Sequence, residues 1–197
     1  MNLGGANTVS RLNLDPSQQL KRCIKRRHLL GGVASACLPG VPGVSSAQTT
    51  AATPAAPGTV VAWPEVTLLD GRRFGAKDAA GRAMVVVFWS TTCPFCRRHN
   101  QHVQALHRAA AGRNLTVLTA ARDRDSAAVQ RYAQQQGYSF PITMDYAPLA
   151  AALSSRNLIP LTITVDSAGR LKQVFAGEMF EEDLLELLQL AAPPARS

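Results

Sequence analysis

An α/β fold, with a mostly parallel central sheet and helices on both of its faces, is what this sequence predicts. Three observations predict it. Short apolar runs recur at residues 84–89, 115–119 and 161–165, each too brief for a core-spanning helix and rich in Val, Ile and Leu. Between them lie segments with apolar residues at helical spacing, opened by capping residues and closed by glycine. The 46% apolar content over 197 residues suits one globular core with something attached to it.

Residues 1–47 read as an export signal rather than as structure. Lys21, Arg22, Lys25, Arg26 and Arg27 form a basic cluster, followed by a weakly apolar stretch at 29–44 that Gly31, Gly32, Pro39 and Pro42 interrupt. Crossing a bilayer takes about 20 unbroken apolar residues. Val44-Ser45-Ser46-Ala47 before Gln48 offers the small residues a signal peptidase needs. Arg26-Arg27-His28-Leu29-Leu30 resembles a twin-arginine signal, from which Lys25 and His28 depart, so a Sec signal is the alternative. In a third reading Cys37, after Ala34-Ser35-Ala36, is lipidated and tethers the protein to a membrane. The leader also explains the net charge of +8. Six basic residues face one acid before Gln48, against 15 and 12 after it, so nothing marks a nucleic-acid surface.

The remaining elements follow in order. Residues 48–58, small, polar and proline-bearing, read as a flexible linker to a domain over 59–192, with 193–197 as a tail. Residues 62–74 read as a hairpin turning at Asp70-Gly71, and a glycine turn at 79–81 leads into the strand at 84–89. Val103, Leu106 and Ala110 carry a helix towards Gly112, and 115–119 is the next strand. Asp125-Ser126 caps a helix running to Gln136, with Val129, Tyr132 and Ala133 inward and Gly137 ending it. A strand at 140–145 and a short helix at 148–153 come next. Pro160 precedes a strand from Leu161, where no ladder donor is needed; a turn at 166–169 leads into a strand at 171–175. Glu181-Glu182-Asp183 opens a final leucine-rich helix over 181–190.

Chemistry concentrates behind the strand at 84–89. Ser90, Thr91 and Thr92 break the run and can satisfy free donors at a helix start, and Pro94 suits a first turn. Cys93 therefore stands at the mouth of a helix, where the dipole and unpaired N–H groups favour a thiolate. Cys96 follows three residues later, near enough to close a small disulfide ring. The other two cysteines, Cys23 and Cys37, fall in the leader, so the mature chain keeps one closely spaced pair suited to exchange chemistry.

The segment Phe88-Trp89-Ser90-Thr91-Thr92-Cys93-Pro94-Phe95-Cys96 resembles the active site of the TlpA-like (ResA/CcmG-type) exported thiol-disulfide oxidoreductases of the thioredoxin superfamily. The resemblance extends over residues 62–190. It implies a thioredoxin-like fold with a central mixed sheet, an N-terminal β-hairpin and a central strand-helix insertion. It also implies a cis-proline at Ile159-Pro160 opposite the dithiol, with the Ile159 backbone pairing with substrate. The activity implied is that of a periplasmic, monomeric protein-disulfide reductase that needs no cofactor beyond its disulfide. A membrane thiol relay would supply its electrons.

Cys93 would attack a substrate disulfide and Cys96, facing the helix–sheet interface, would resolve the mixed disulfide. Trp89, Pro94 and Phe95 would frame the sulfur, although simple packing is an equal reading for Trp89. His99 and Gln101 stand where the family often has glutamate and proline. His99 is thus a candidate for proton transfer, or, if protonated, a partner of Arg97 and Arg98 in stabilising thiolate, or a solvent-facing residue. An oxidase or isomerase of the DsbA/DsbC kind is the alternative, disfavoured by the missing helical insertion domain. Two remoter readings are a zinc site of Cys93, Cys96, His99 and His102, which would crowd four ligands on one helix start, and a redox-inactive interaction module, which would normally have lost a cysteine.

Overall fold

The structure, a computed structural model, describes residues 55–191. The signal read over 1–47 with Cys23 and Cys37, most of the 48–58 linker, and the 193–197 tail lie outside the described residues. In chain order the elements are β1 (Val66–Thr67), β2 (Arg73–Phe74), α1 (Ala76–Ala79), β3 (Ala83–Trp89), α2 (Pro94–Ala109), β4 (Leu115–Ala121), α3 (Ser126–Gln136), β5 (Ile142–Thr143), α4 (Tyr146–Leu153), β6 (Leu161–Val165), β7 (Leu171–Ala176) and α5 (Glu181–Glu186). A short 3-10 helix over Leu187–Ala191 closes the series.

The central strand is β3, and every one of its residues is buried. Successive side chains of a strand point to opposite faces. On one face Val85, Val87 and Trp89 share a core with Cys96 and Val103 of α2, Val129 of α3 and Leu184 of α5. On the other, Met84, Val86 and Phe88 pack with Phe74 of the hairpin and Leu149 and Leu153 of α4. Covering on both faces is why the run shows no polar alternation.

The five-stranded sheet has the order β5-β4-β3-β6-β7. β3 pairs parallel with β4, and β4 with β5, whereas β3–β6 and β6–β7 are antiparallel. The sheet is mixed, as the resemblance implies; strand-helix alternation alone, which predicts a mostly parallel sheet, misleads for half the pairings. The helices α2 and α3 provide crossovers between parallel neighbours, but β6 and β7 are joined by a tight turn that admits no crossover. In that turn Asp166 Oδ1 accepts from the N–H groups of Ala168 (3.0 Å) and Arg170 (2.9 Å).

Four local expectations need correcting. Residues 55–58, assigned to the linker by composition, are fastened down. Ala55 N–H donates to the Ala152 carbonyl (3.0 Å) and Gly58 N–H to that of Leu171 (2.7 Å), pairings that composition does not encode. The 79–81 turn is preceded by one helical turn, α1, where the Asp78 carboxylate accepts from Gly75 N–H. The strand at 140–145 shrinks to β5, whose Thr143 bridges Leu68 and whose Ile142 carbonyl accepts from Leu69 N–H, so the β1–β2 hairpin covers that sheet edge. The helix over 181–190 tightens after Glu186 into the 3-10 helix, a common ending for an α-helix.

Candidate active site

β3 delivers the chain at Trp89 to the carboxyl edge of the sheet, and α2 departs from Pro94. The turn between them is closed by Cys93 N–H donating to the Ser90 carbonyl (3.3 Å). Cys93 is itself the N-cap of α2, and its Sγ accepts from the Cys96 N–H at 3.1 Å. Of Ser90, Thr91 and Thr92, expected to satisfy free donors here, Ser90 does so by accepting from Thr92 N–H (3.3 Å), while the Thr92 hydroxyl meets Ser90 Oγ (3.1 Å) and that of Thr91 meets Asp123. Cys93 and Cys96 form a disulfide with a Cα–Cα separation of 5.2 Å. Cys93 is half-buried, while Cys96 lies wholly inside the helix–sheet core. Pro94 is exposed, and Phe95 is 56% exposed beside the pair.

The Arg98 guanidinium lies over the Phe95 ring, 5.1 Å from its centroid, and forks onto Glu178 through Nε (2.8 Å) and Nη2 (2.7 Å). This pairing holds the Glu178 carboxyl below the usual carboxylate range. Trp89, in contrast, offers no surface to a partner. It is wholly buried in the same core as Cys96, 5.9 Å from the Tyr132 ring and 6.2 Å from that of Tyr138, and this corrects its assignment to substrate contact in favour of packing.

The Ile159–Pro160 peptide bond is cis. Antiparallel register pairs Phe88 with Leu161, which carries Pro160 to the end of β3 where the cysteine turn begins. Pro160 is buried and its carbonyl accepts from Gly177 N–H (2.9 Å); Ile159 is half-buried.

His99 is neither solvent-facing nor cationic at neutral pH, which corrects two of its three readings. Its side chain is wholly buried. Met179 N–H donates to Nδ1 (3.1 Å), which assigns the ring proton to Nε2, where it donates to Thr162 Oγ1 (3.0 Å). Burial pushes its pKa from 6.5 down to about 4. As a proton acceptor for Cys96 it would have to give up one of these bonds. His102 meets Glu181 instead (3.5 Å), so the four residues weighed for zinc are engaged elsewhere.

Two features escaped sequence reading. One is the Arg98–Glu178 clamp. The other is Asp123, just beyond β4, whose carboxylate accepts from Thr91 N–H (3.1 Å), from the Thr91 hydroxyl and from Ser90 Oγ (3.3 Å). A signal for Asp123 existed, because segments leaving the carboxyl ends of neighbouring parallel strands gather at one edge of a sheet.

The chain matches the Redoxin family over residues 56–188. It is similar to the thiol-disulfide oxidoreductase ResA of Halalkalibacterium halodurans, 26% identical over 127 residues that cover 64% of this chain and 72% of that protein. ResA of Geobacillus thermodenitrificans is 25% identical over 125 residues, with 64% and 72% covered. Among solved structures, a thioredoxin-family thiol:disulfide interchange protein from Chlorobium tepidum TLS superposes with a TM-score of 0.63 at 24% identity, covering 69% of this chain and 97% of that one. The latter likeness is one of fold, which is thioredoxin-like.

Proposed function

The chain belongs to the Redoxin family, and we propose that it is a thiol-disulfide oxidoreductase working as a protein-disulfide reductase through Cys93 and Cys96. The observation that carries this reading is the pair itself: a half-buried sulfur capping a helix, joined to a wholly buried one three residues on. In the reduced protein the helix mouth and the Cys96 N–H favour thiolate at Cys93. That thiolate attacks one sulfur of a client disulfide, forming a mixed disulfide and releasing one client thiolate. Cys96, as thiolate, then attacks Cys93 Sγ and releases the second. Two electrons have passed to the client, and the enzyme is left with its own disulfide and no other cofactor.

Phe95 and Pro94, just after Cys93 in the chain, would seat the client together with Ile159 and Pro160, with the Ile159 backbone pairing to it. His99 acts from below by holding α2 to β6. Periplasmic placement rests on the signal read over residues 1–47, and a monomer reduced by a membrane thiol relay completes the proposal. Insulin reduction tests it. Cys93→Ser should abolish turnover, and Cys96→Ser should trap mixed disulfides; turnover undiminished in Cys93→Ser would refute the role given to that sulfur. A reduction potential of about −270 mV supports reductase, and one of about −120 mV would assign the chain to the oxidases.

A further inference from the structure

We propose that Asp123 is the positioning residue of this dithiol: it fixes the turn that presents Cys93, and its negative charge biases the couple towards the disulfide, keeping it reducing. The proposal deepens the reductase reading and rests on it. Register places the residue. Trp89 pairs with Ala121, so β3 and β4 end together, and Arg122 N–H donates to the Trp89 carbonyl (2.8 Å), extending the pairing one step past the sheet. At the next residue the carboxylate of Asp123 collects donors from two consecutive residues, Ser90 and Thr91. Ser90 in turn supplies the carbonyl that receives Cys93 N–H. The carboxylate is thus one hydrogen-bonded residue away from the turn closure that sets Cys93 at the mouth of α2.

The charge acts as well as the bonds. A helix N-terminus stabilises thiolate, and an anion beside the same turn opposes that effect. Less thiolate means a less stable dithiol form, hence a stronger reductant. Among the described residues no cation forms an ion pair with the Asp123 carboxylate. Arg98 is committed to Glu178, Arg122 lies over the Tyr146 ring at 5.5 Å, and His99 is neutral, which leaves exposed Arg97 on α2 and Arg124 in the loop. Asp125 is occupied capping α3.

The test is the equilibrium of the Cys93–Cys96 couple with glutathione at pH 7 in the full chain. Asp123→Asn, which keeps an acceptor and loses the charge, should shift it about three- to tenfold towards the dithiol, the range expected for removing one nearby charge. Thr91→Val, which keeps the charge and loses a hydroxyl, should leave it within about twofold on the same principle. Asp123→Ala should reproduce the shift and also lower kcat/KM for insulin. Should Asp123→Asn fail to fold, Asp123→Glu against Asp123→Gln provides the same comparison of charge at equal length. An unshifted equilibrium in the folded neutral variant, or an equal shift in Thr91→Val, overturns the proposal. Failure of the reductase reading shows separately, as absence of insulin turnover in the unsubstituted protein, because the glutathione equilibrium needs only the cysteine pair.

Discussion

Replacing the buried imidazole of His99 should flatten the acid side of the stability profile. In the folded protein this histidine stays neutral down to about pH 4, whereas in the unfolded chain it takes up a proton near 6.5. Between those values the unfolded state binds more protons, so lowering the pH through the window removes stability, and the loss levels off below about 4. At about 1.4 kcal/mol per pH unit the full loss is roughly 3 kcal/mol, most of it reached by pH 4.5. His99→Gln can still accept from Met179 and donate to Thr162 but does not titrate. Urea unfolding of the oxidised protein, followed by tryptophan fluorescence at pH 7.5 and 4.5, gives the comparison, since subtracting the variant cancels the carboxylates common to both. Wild-type and variant curves that fall in parallel, within about 0.5 kcal/mol, would show that the folded protein does not hold this ring neutral.

Two further substitutions probe the frame around the site. Gly137 ends α3 with φ of 70°, so Gly137→Ala should cost about 1 kcal/mol in denaturant unfolding while leaving the glutathione equilibrium unchanged. Leu184 is wholly buried where α5 packs on α2, and Leu184→Ala should destabilise by about 2–5 kcal/mol, read as a lower urea midpoint at unaltered slope.

Much of this was legible in the chain because it is local. The Val85-Val86-Val87 run announces a strand covered on both faces; Asp125 and Gly137 announce the ends of α3; Cys93-Pro94-Phe95-Cys96 announces a helix start carrying two sulfurs. What escaped depends on partners far away in sequence. The burial of His99, against its solvent-facing and cationic readings, emerges only when Thr162 and Met179, 63 and 80 residues on, close over it. Asp123 gains its meaning from donors 32 and 33 residues upstream. Ser90, Thr91 and Thr92 offer hydroxyls before the helix, but a sulfur occupies the capping position, an acceptor that the usual oxygen-bearing cap residues do not suggest. The antiparallel half of the sheet is legible from the resemblance but not from strand-helix alternation, which describes neighbours in sequence, whereas β6 lies beside β3 without being its neighbour.

Four braces of the dithiol helix lead to the far end of the chain, through Arg98 to Glu178, His99 to Met179, His102 to Glu181 and the seat of Leu184. Synthesis runs the other way. At 5–20 residues per second the two sulfurs leave the ribosome roughly 4–16 s before the segment that steadies their helix. For that interval His99 lacks the Met179 N–H that caps its Nδ1, and Arg98 lacks the carboxylate that holds it beside Phe95. A nascent polypeptide halted short of residue 177 would carry the reactive motif but not the enzyme.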